Sequence, residues 1–180
     1  LVLGRRITLP VVSIATNGKY LDDKTIGIFA NNNENQREDW RRPINFEFFP
    51  TPSAEAALNQ LCETRVSGGA TRSAMFKSQV VYANKRFGEK RLDYEFFPDQ
   101  KPGLTDFKSI ILHNSGNDFD YLYFRDALMQ KTMGLYQDID WMASRPTIVF
   151  INGEYKGILT IRERSNEDHI CIFYFLNYLV

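Results

Sequence analysis

Apolar and polar residues alternate from Ile44 to Phe49, with Ile44, Phe46 and Phe48 on one side and Asn45 and Glu47 on the other. A period of two predicts a half-buried strand. The same period returns at Cys62, Thr64 and Val66 against Glu63, Arg65 and Ser67. The preceding Ala54–Leu61 suits either a short helix or an extension of that strand. β-Branched and apolar runs predict further strands at Ile7–Ala15, Thr25–Phe29, Lys77–Ala83 and Ser109–Leu112, and Leu92–Phe97 is short and aromatic. Pro10 favours an edge position for the first strand, because proline lacks the N–H of a ladder hydrogen bond. Asn31–Arg42 reads as a polar loop that Trp40 pins to the body. One stretch has helical spacing: Phe124, Ala127, Leu128 and Leu135 predict a helix from about Tyr121 to Met133, with Asp118 or Asp120 as N-cap.

The pattern centres on Pro146–Glu163. Two β-rich runs, Thr147–Ile151 and Glu154–Arg162, flank Asn152-Gly153. Asn-Gly is the strongest two-residue hairpin signal, since a type I′ turn needs positive φ at both central positions. The turn is expected to be exposed and Phe150 buried. Gly157 inside the second run points to a bulge or a close backbone approach. Strands before one helix, then a hairpin, predict an α+β fold with a mainly antiparallel sheet and few helices. The tail Ile170–Val180 is apolar almost all round. It reads as a buried helix or a strand, and is too short to span a bilayer.

Composition narrows the chemistry. With 180 residues, 43% of them hydrophobic and 14% aromatic, the chain can build a sizeable core. Lys+Arg and Asp+Glu balance at 22 each, which gives no electrostatic case for nucleic acid. No run is long enough for a membrane span. Cys62 and Cys171 match no zinc spacing, and are compatible with buried thiols or with one bridge. His113 and His169 carry no metal or triad signature and read as hydrogen-bonding residues. Asp138 and Asp140 have no evident partner, and Arg125-Asp126 reads as a structural pair.

Ser67-Gly68-Gly69-Ala70-Thr71-Arg72 lies between two strands. Glycines allow close backbone approach, and an Arg nearby suits phosphate. The spacing is neither a P-loop nor a Rossmann fingerprint, and a plain β-turn accounts for it as well. Lys77 enters the next strand where some kinases hold a nucleotide phosphate. A surface lysine fits the same pattern.

Four elements in order carry a resemblance: SGGATR with KS four residues on (Ser67–Ser78), SIILHNSGND (Ser109–Asp118), FRDALMQ (Phe124–Gln130) and INGEYKGILTIRE (Ile151–Glu163). Together they resemble the spore-coat protein H (CotH) kinase family, over about Leu9 to Asp168. His113 stands where relatives commonly show Arg. The resemblance implies the N-lobe of an atypical protein-kinase-like fold at 67–180, preceded by an N-terminal β extension at 1–66. It implies ATP-dependent phosphorylation of Ser/Thr in the intact protein, with ATP and magnesium as cofactors. Lys77 is similar to the phosphate lysine, Gly68, Gly69 and Arg72 to its loop, and Glu163 to the end of the family hairpin. Catalytic residues stay unassigned and no metal ligand is expected, because relatives carry their acidic residues downstream of the hairpin. The chain is therefore expected to be a fragment that lacks the catalytic lobe and is inactive alone. The rival expectation is a non-catalytic surface or protein-interaction domain. Expected partners are a protein substrate or a surface protein, and the resemblance points to a secreted or cell-surface setting.

Overall fold

The computed structural model describes residues 8–30, 40–52 and 55–171. Four expectations fall partly outside them: the start of the first strand at Ile7, most of the polar loop, Ala54, and the tail beyond Cys171.

Seven strands close into a barrel. In space they run β1 (Val11–Ala15), β2 (Arg42–Phe49), β3 (Leu58–Val66), β4 (Gln79–Ala83), β7 (Ser109–His113), β9 (Glu154–Glu163) and β8 (Ser144–Ile151), which returns to β1. A two-stranded ribbon, β5 (Leu92–Asp93) and β6 (Asp106–Phe107), stands apart. Helices among the described residues are α1 (Lys19–Asp22), α2 (Arg125–Tyr136), two 3-10 turns at Ala70–Ser73 and Gly116–Asp118, and a helical stretch at 167–171.

This architecture corrects the expected α+β fold built on a kinase-like N-lobe sheet. The reason is one pairing. β1 lies antiparallel to β2 on one side and parallel to β8 on the other, with Val11 opposite Ile148 and Ile14 opposite Ile151. Pro10 does not force an edge, because it precedes the strand and contributes only its carbonyl. That carbonyl accepts from the Ile148 N–H and from Thr147 Oγ1, both at 2.9 Å. Closure removes the open edges of the sheet. The barrel takes three strands from before residue 67 and four from after it.

The period-two readings place the core. Ile44, Phe46, Phe48, Cys62, Thr64 and Val66 are all buried. β3 runs back to Leu58, so the helical option for that stretch is not taken. An aromatic plug from the β5–β6 segment packs on Phe48: its ring lies 5.0 Å from Phe96 and 5.0 Å from Tyr94, and Phe107 lies 5.5 Å from Phe96.

Three local expectations change. Thr25–Phe29 is a series of turns, not a strand, because the Asp23 carboxylate accepts from the Thr25 N–H, the Thr25 hydroxyl and the Ile26 N–H. α2 begins at Arg125, since Tyr123 sits at φ 63° and breaks the helical path. Phe150 is half-buried on the outer face beside Tyr155, while Val149 and Ile151 face the core. The hairpin itself is as expected: Asn152 and Gly153 have φ of 50° and 81°, and the turn is exposed. Opposite Val149, Lys156 and Gly157 form a bulge, and Gly157 has φ 103°. A Cβ there would lie 3.4 Å from the Phe76 ring, so the backbone does approach closely.

Candidate functional site

Two polar centres occupy different parts of the barrel. The first is the β3–β4 connection, which holds Gly68, Gly69, Arg72 and Lys77. Gly68 takes φ 105°, a region closed to most side chains, and a Cβ there would meet Thr71 Oγ1 at 2.5 Å. The loop then closes on itself: Arg72 Nε donates to the Gly68 carbonyl, and Lys77 Nζ donates to the carbonyls of Arg72 at 2.5 Å and Ala74 at 3.4 Å. Burial lowers the proton affinity of the Lys77 ammonium and of the Arg72 guanidinium, the latter also through the charge of Arg65.

Lys77 lines a cleft of about 80 Å³ together with Phe29, Met75, Phe76, Gln79, Ile151, Lys156 and Leu159. Lys77 and Lys156 are thus both in the lining of one cleft, and Lys156 also pairs with Glu154 at 2.5 Å. Sites that enclose a whole ligand run to several hundred Å³. This one suits a group the size of a phosphate.

Asn114 braces the loop. Fully buried, it donates from Nδ2 to the Phe76 carbonyl at 2.7 Å, accepts from Ser78 Oγ at 2.7 Å, and accepts from the Gly116 N–H at 3.1 Å. It therefore grips both neighbours of Lys77. In the sequence Asn114 stands in the polar run Asn114-Ser115-Gly116-Asn117-Asp118, far from Lys77. Only the pairing of β4 with β7 brings it to Lys77.

The second centre surrounds Glu163, and the structure does not join it to Lys77. The Glu163 carboxylate is buried and accepts from Lys101 Nζ at 2.6 Å, His169 Nδ1 at 3.2 Å and the Ala143 N–H at 2.6 Å. Burial would raise its pKa, but the bond to His169 and the charge of Lys101 hold it below the usual carboxylate range. His169 Nε2 lies 2.7 Å from Asp140 Oδ1, which gives Asp140 the partner that the sequence did not reveal. Lys101 also donates to the Trp141 carbonyl at 2.7 Å.

Arg125 and Asp126 do not pair with each other. Arg125 meets Asp118 at 3.0 Å, and Asp126 meets the buried Arg162 at 2.6 Å. Asp118 also accepts the Arg125 N–H at 3.1 Å. The N-cap position itself is Phe124, and neither Asp118 nor Asp120 takes it, because α2 begins later than expected; Asp118 binds the helix start from seven residues upstream instead. Cys62 is buried, and desolvation pushes its thiol up to about 12; neither cysteine is bridged. No helix among the described residues is long and apolar enough to cross a membrane.

No curated protein matches the chain at a significant level. The family model described as CotH kinase protein does match, over residues 66–171, a span that contains the glycine loop, Lys77, Asn114, α2 and the hairpin. That match covers more than half of the 180 residues, and the chain belongs to the CotH kinase family.

Proposed function

We propose that this CotH-family chain supplies a phosphate-binding part of a phosphoryl-transfer protein that acts on proteins. Lys77 would hold a phosphate group of ATP. Gly68, Gly69 and Arg72 would shape the loop around it, and Lys156 would add a second positive charge. The observation that carries this reading is the convergence of two lysines on one phosphate-sized cleft inside the matched span. Bound there, ATP would supply the transferable phosphoryl group and magnesium would neutralise its charge. To reach an anion, Lys77 would exchange contacts such as those to the Arg72 and Ala74 carbonyls for phosphate oxygens. Both Glu163 oxygens are engaged by protein donors. In this proposal Glu163 therefore positions Lys101 and does not touch the nucleotide.

The cleft would enclose one phosphate and leave the nucleoside outside. Binding should then be millimolar at best, about −4 kcal/mol. Among the described residues no group of three or more His, Cys, Asp or Glu is arranged to hold a metal ion. We assign no catalytic carboxylate, and we propose that this segment binds phosphate without transferring it. Calorimetric titration of ATP into wild type and Lys77→Ala, with and without magnesium, tests the reading. Weak binding lost in Lys77→Ala supports it. Equal binding by both proteins overturns the role of Lys77.

A second reading is favoured by a separate observation. α2 has no buried residue, and Leu128, Met129, Leu135 and Tyr136 are each more than half exposed. A monomeric protein seldom exposes such a face without a use for it. We propose, as the alternative, a non-catalytic protein-interaction module. Calorimetry silent to ATP, together with loss of partner binding in Leu128→Asp, would favour it.

A further inference from the structure

The helical stretch at 167–171 follows β9 after Arg164, Ser165 and Asn166. Its His169 side chain is 4% exposed and lies between two carboxylates on different elements: Asp140 on the α2–β8 connection, facing Nε2, and Glu163 on β9, facing Nδ1. A neutral imidazole has one N–H and one lone pair. It can donate to only one of these partners and must point its lone pair at the other. A doubly protonated ring satisfies both. The remaining charges close the picture. Lys101 approaches Glu163 from the 97–105 loop at 2.6 Å, and the neighbouring Asp168 is held by Arg91 and Lys108 at 2.8 and 2.7 Å. Two negative groups and one positive group therefore face the ring, and an imidazolium makes the cluster neutral.

We propose that His169 is a proton-operated latch. As imidazolium it ties the segment after the hairpin to Asp140 and Glu163, and loss of its proton frees that segment from the α2–β8 connection. The hydrogen bond to Glu163 and the nearby Asp140 raise the proton affinity of the ring against the opposing effect of burial. The latch therefore opens on the alkaline side of the usual imidazole range. It does not depend on the phosphate-binding reading.

Cys171 offers a probe. It is exposed, whereas Cys62 is buried with its thiol pushed up to about 12, so a thiol-reactive fluorophore labels Cys171 selectively. Energy transfer from Trp141, which adjoins Asp140, then reports the latch. A labelled Trp141→Phe protein measures the contribution of Trp40, which is subtracted. In wild type, transfer should hold steady at about pH 6 and fall in a one-proton step centred above about 6.5. His169→Gln should show no step, and Asp140→Asn should move the step toward about 6.5. The proposal is overturned by the absence of a step in wild type up to about pH 9, by the same step in His169→Gln, or by an unmoved step in Asp140→Asn. It also fails if circular dichroism shows the sheet melting with the step, because that is global unfolding.

Discussion

Lys101, half-buried, and the buried Glu163 form an ion pair with Nζ and Oε2 2.6 Å apart, although they are far apart in the chain. Lys101, and not Lys77, is the lysine that Glu163 meets. The pair joins the 97–105 loop to the exit of β9, and Ala143 brings the start of β8 to the same carboxylate.

Removing one member of a buried pair leaves the other charged and without compensation, which commonly costs about 3–5 kcal/mol. His169 still bonds Glu163 when Lys101 is gone, so Lys101→Met should cost about 3 kcal/mol, at the lower end of that range. Urea denaturation measures it. A loss under about 1 kcal/mol would mean that the ammonium adds nothing beyond His169.

The two histidines should titrate in opposite directions. Burial and the charge of Arg162 lower the pKa of His113, while the bond to Glu163 raises that of His169. A raised imidazole stabilises the fold below the unfolded value of about 6.5 and loses that contribution as pH rises through its folded pKa. A depressed imidazole stays neutral in the fold, so stability falls as pH drops from about 6.5 through its folded pKa. As far as the histidines decide it, the melting temperature should peak at about pH 6.5. The C2 proton resonances should titrate on opposite sides of that value. Two midpoints on the same side would contradict the described environments.

Gly153 sits at φ 81° in the hairpin turn. Gly153→Val should cost about 1–2 kcal/mol, because a β-branched residue resists positive φ. A Cβ at this position meets nothing within 4 Å, so the whole effect would be backbone strain. An unchanged melting temperature would exclude the type I′ turn.

Gly134 lies against Trp141. A Cβ there would fall 2.2 Å from the indole ring, closer than any real contact. Gly134→Ala would gain helix propensity but displace Trp141, and overpacking of this kind costs about 1–3 kcal/mol. A blue- or red-shift of tryptophan emission should accompany the loss. A variant as stable as wild type with unshifted emission would show that the ring is free to move.

What the sequence revealed follows from how far each signal reaches along the chain. The alternation at Ile44, Phe46 and Phe48, and the Asn152-Gly153 turn, are local and were legible. Closure of the barrel depends on Val11 meeting Ile148, and alternation is silent about partners. Thr25–Phe29 has the composition of a strand, yet the carboxylate of Asp23 captures its N–H groups first. At the candidate site, Lys77 and its glycine loop lie within ten residues and could be grouped by eye. Asn114 reaches the neighbours of Lys77 only through the pairing of β4 with β7, and Lys101 and His169 reach Glu163, in the other centre, only through the tertiary fold.

α2 presents the last test. A helix normally docks through an apolar stripe, but this one buries no residue. Beside the packing of Gly134 on Trp141, its ties are polar: Asp126 to Arg162 at 2.6 Å, Gln130 Oε1 accepting the Met142 N–H at 2.9 Å, and Arg125 to Asp118 at 3.0 Å. Burial opposes ionisation of Asp126, yet Gln130 and Arg162 keep its pKa low. The aspartate is 55% exposed while its partner is only 7% exposed, so the energetic weight falls on Arg162, a buried cation. Asp126→Ala should leave that cation without its carboxylate. Solvent reaches the aspartate side, so the cost should stay near about 2 kcal/mol, below that of a fully buried pair. The same change should speed amide exchange across Arg125–Tyr136, with the barrel strands unaffected. If exchange in α2 stays at the wild-type rate, the helix is held by contacts other than these three.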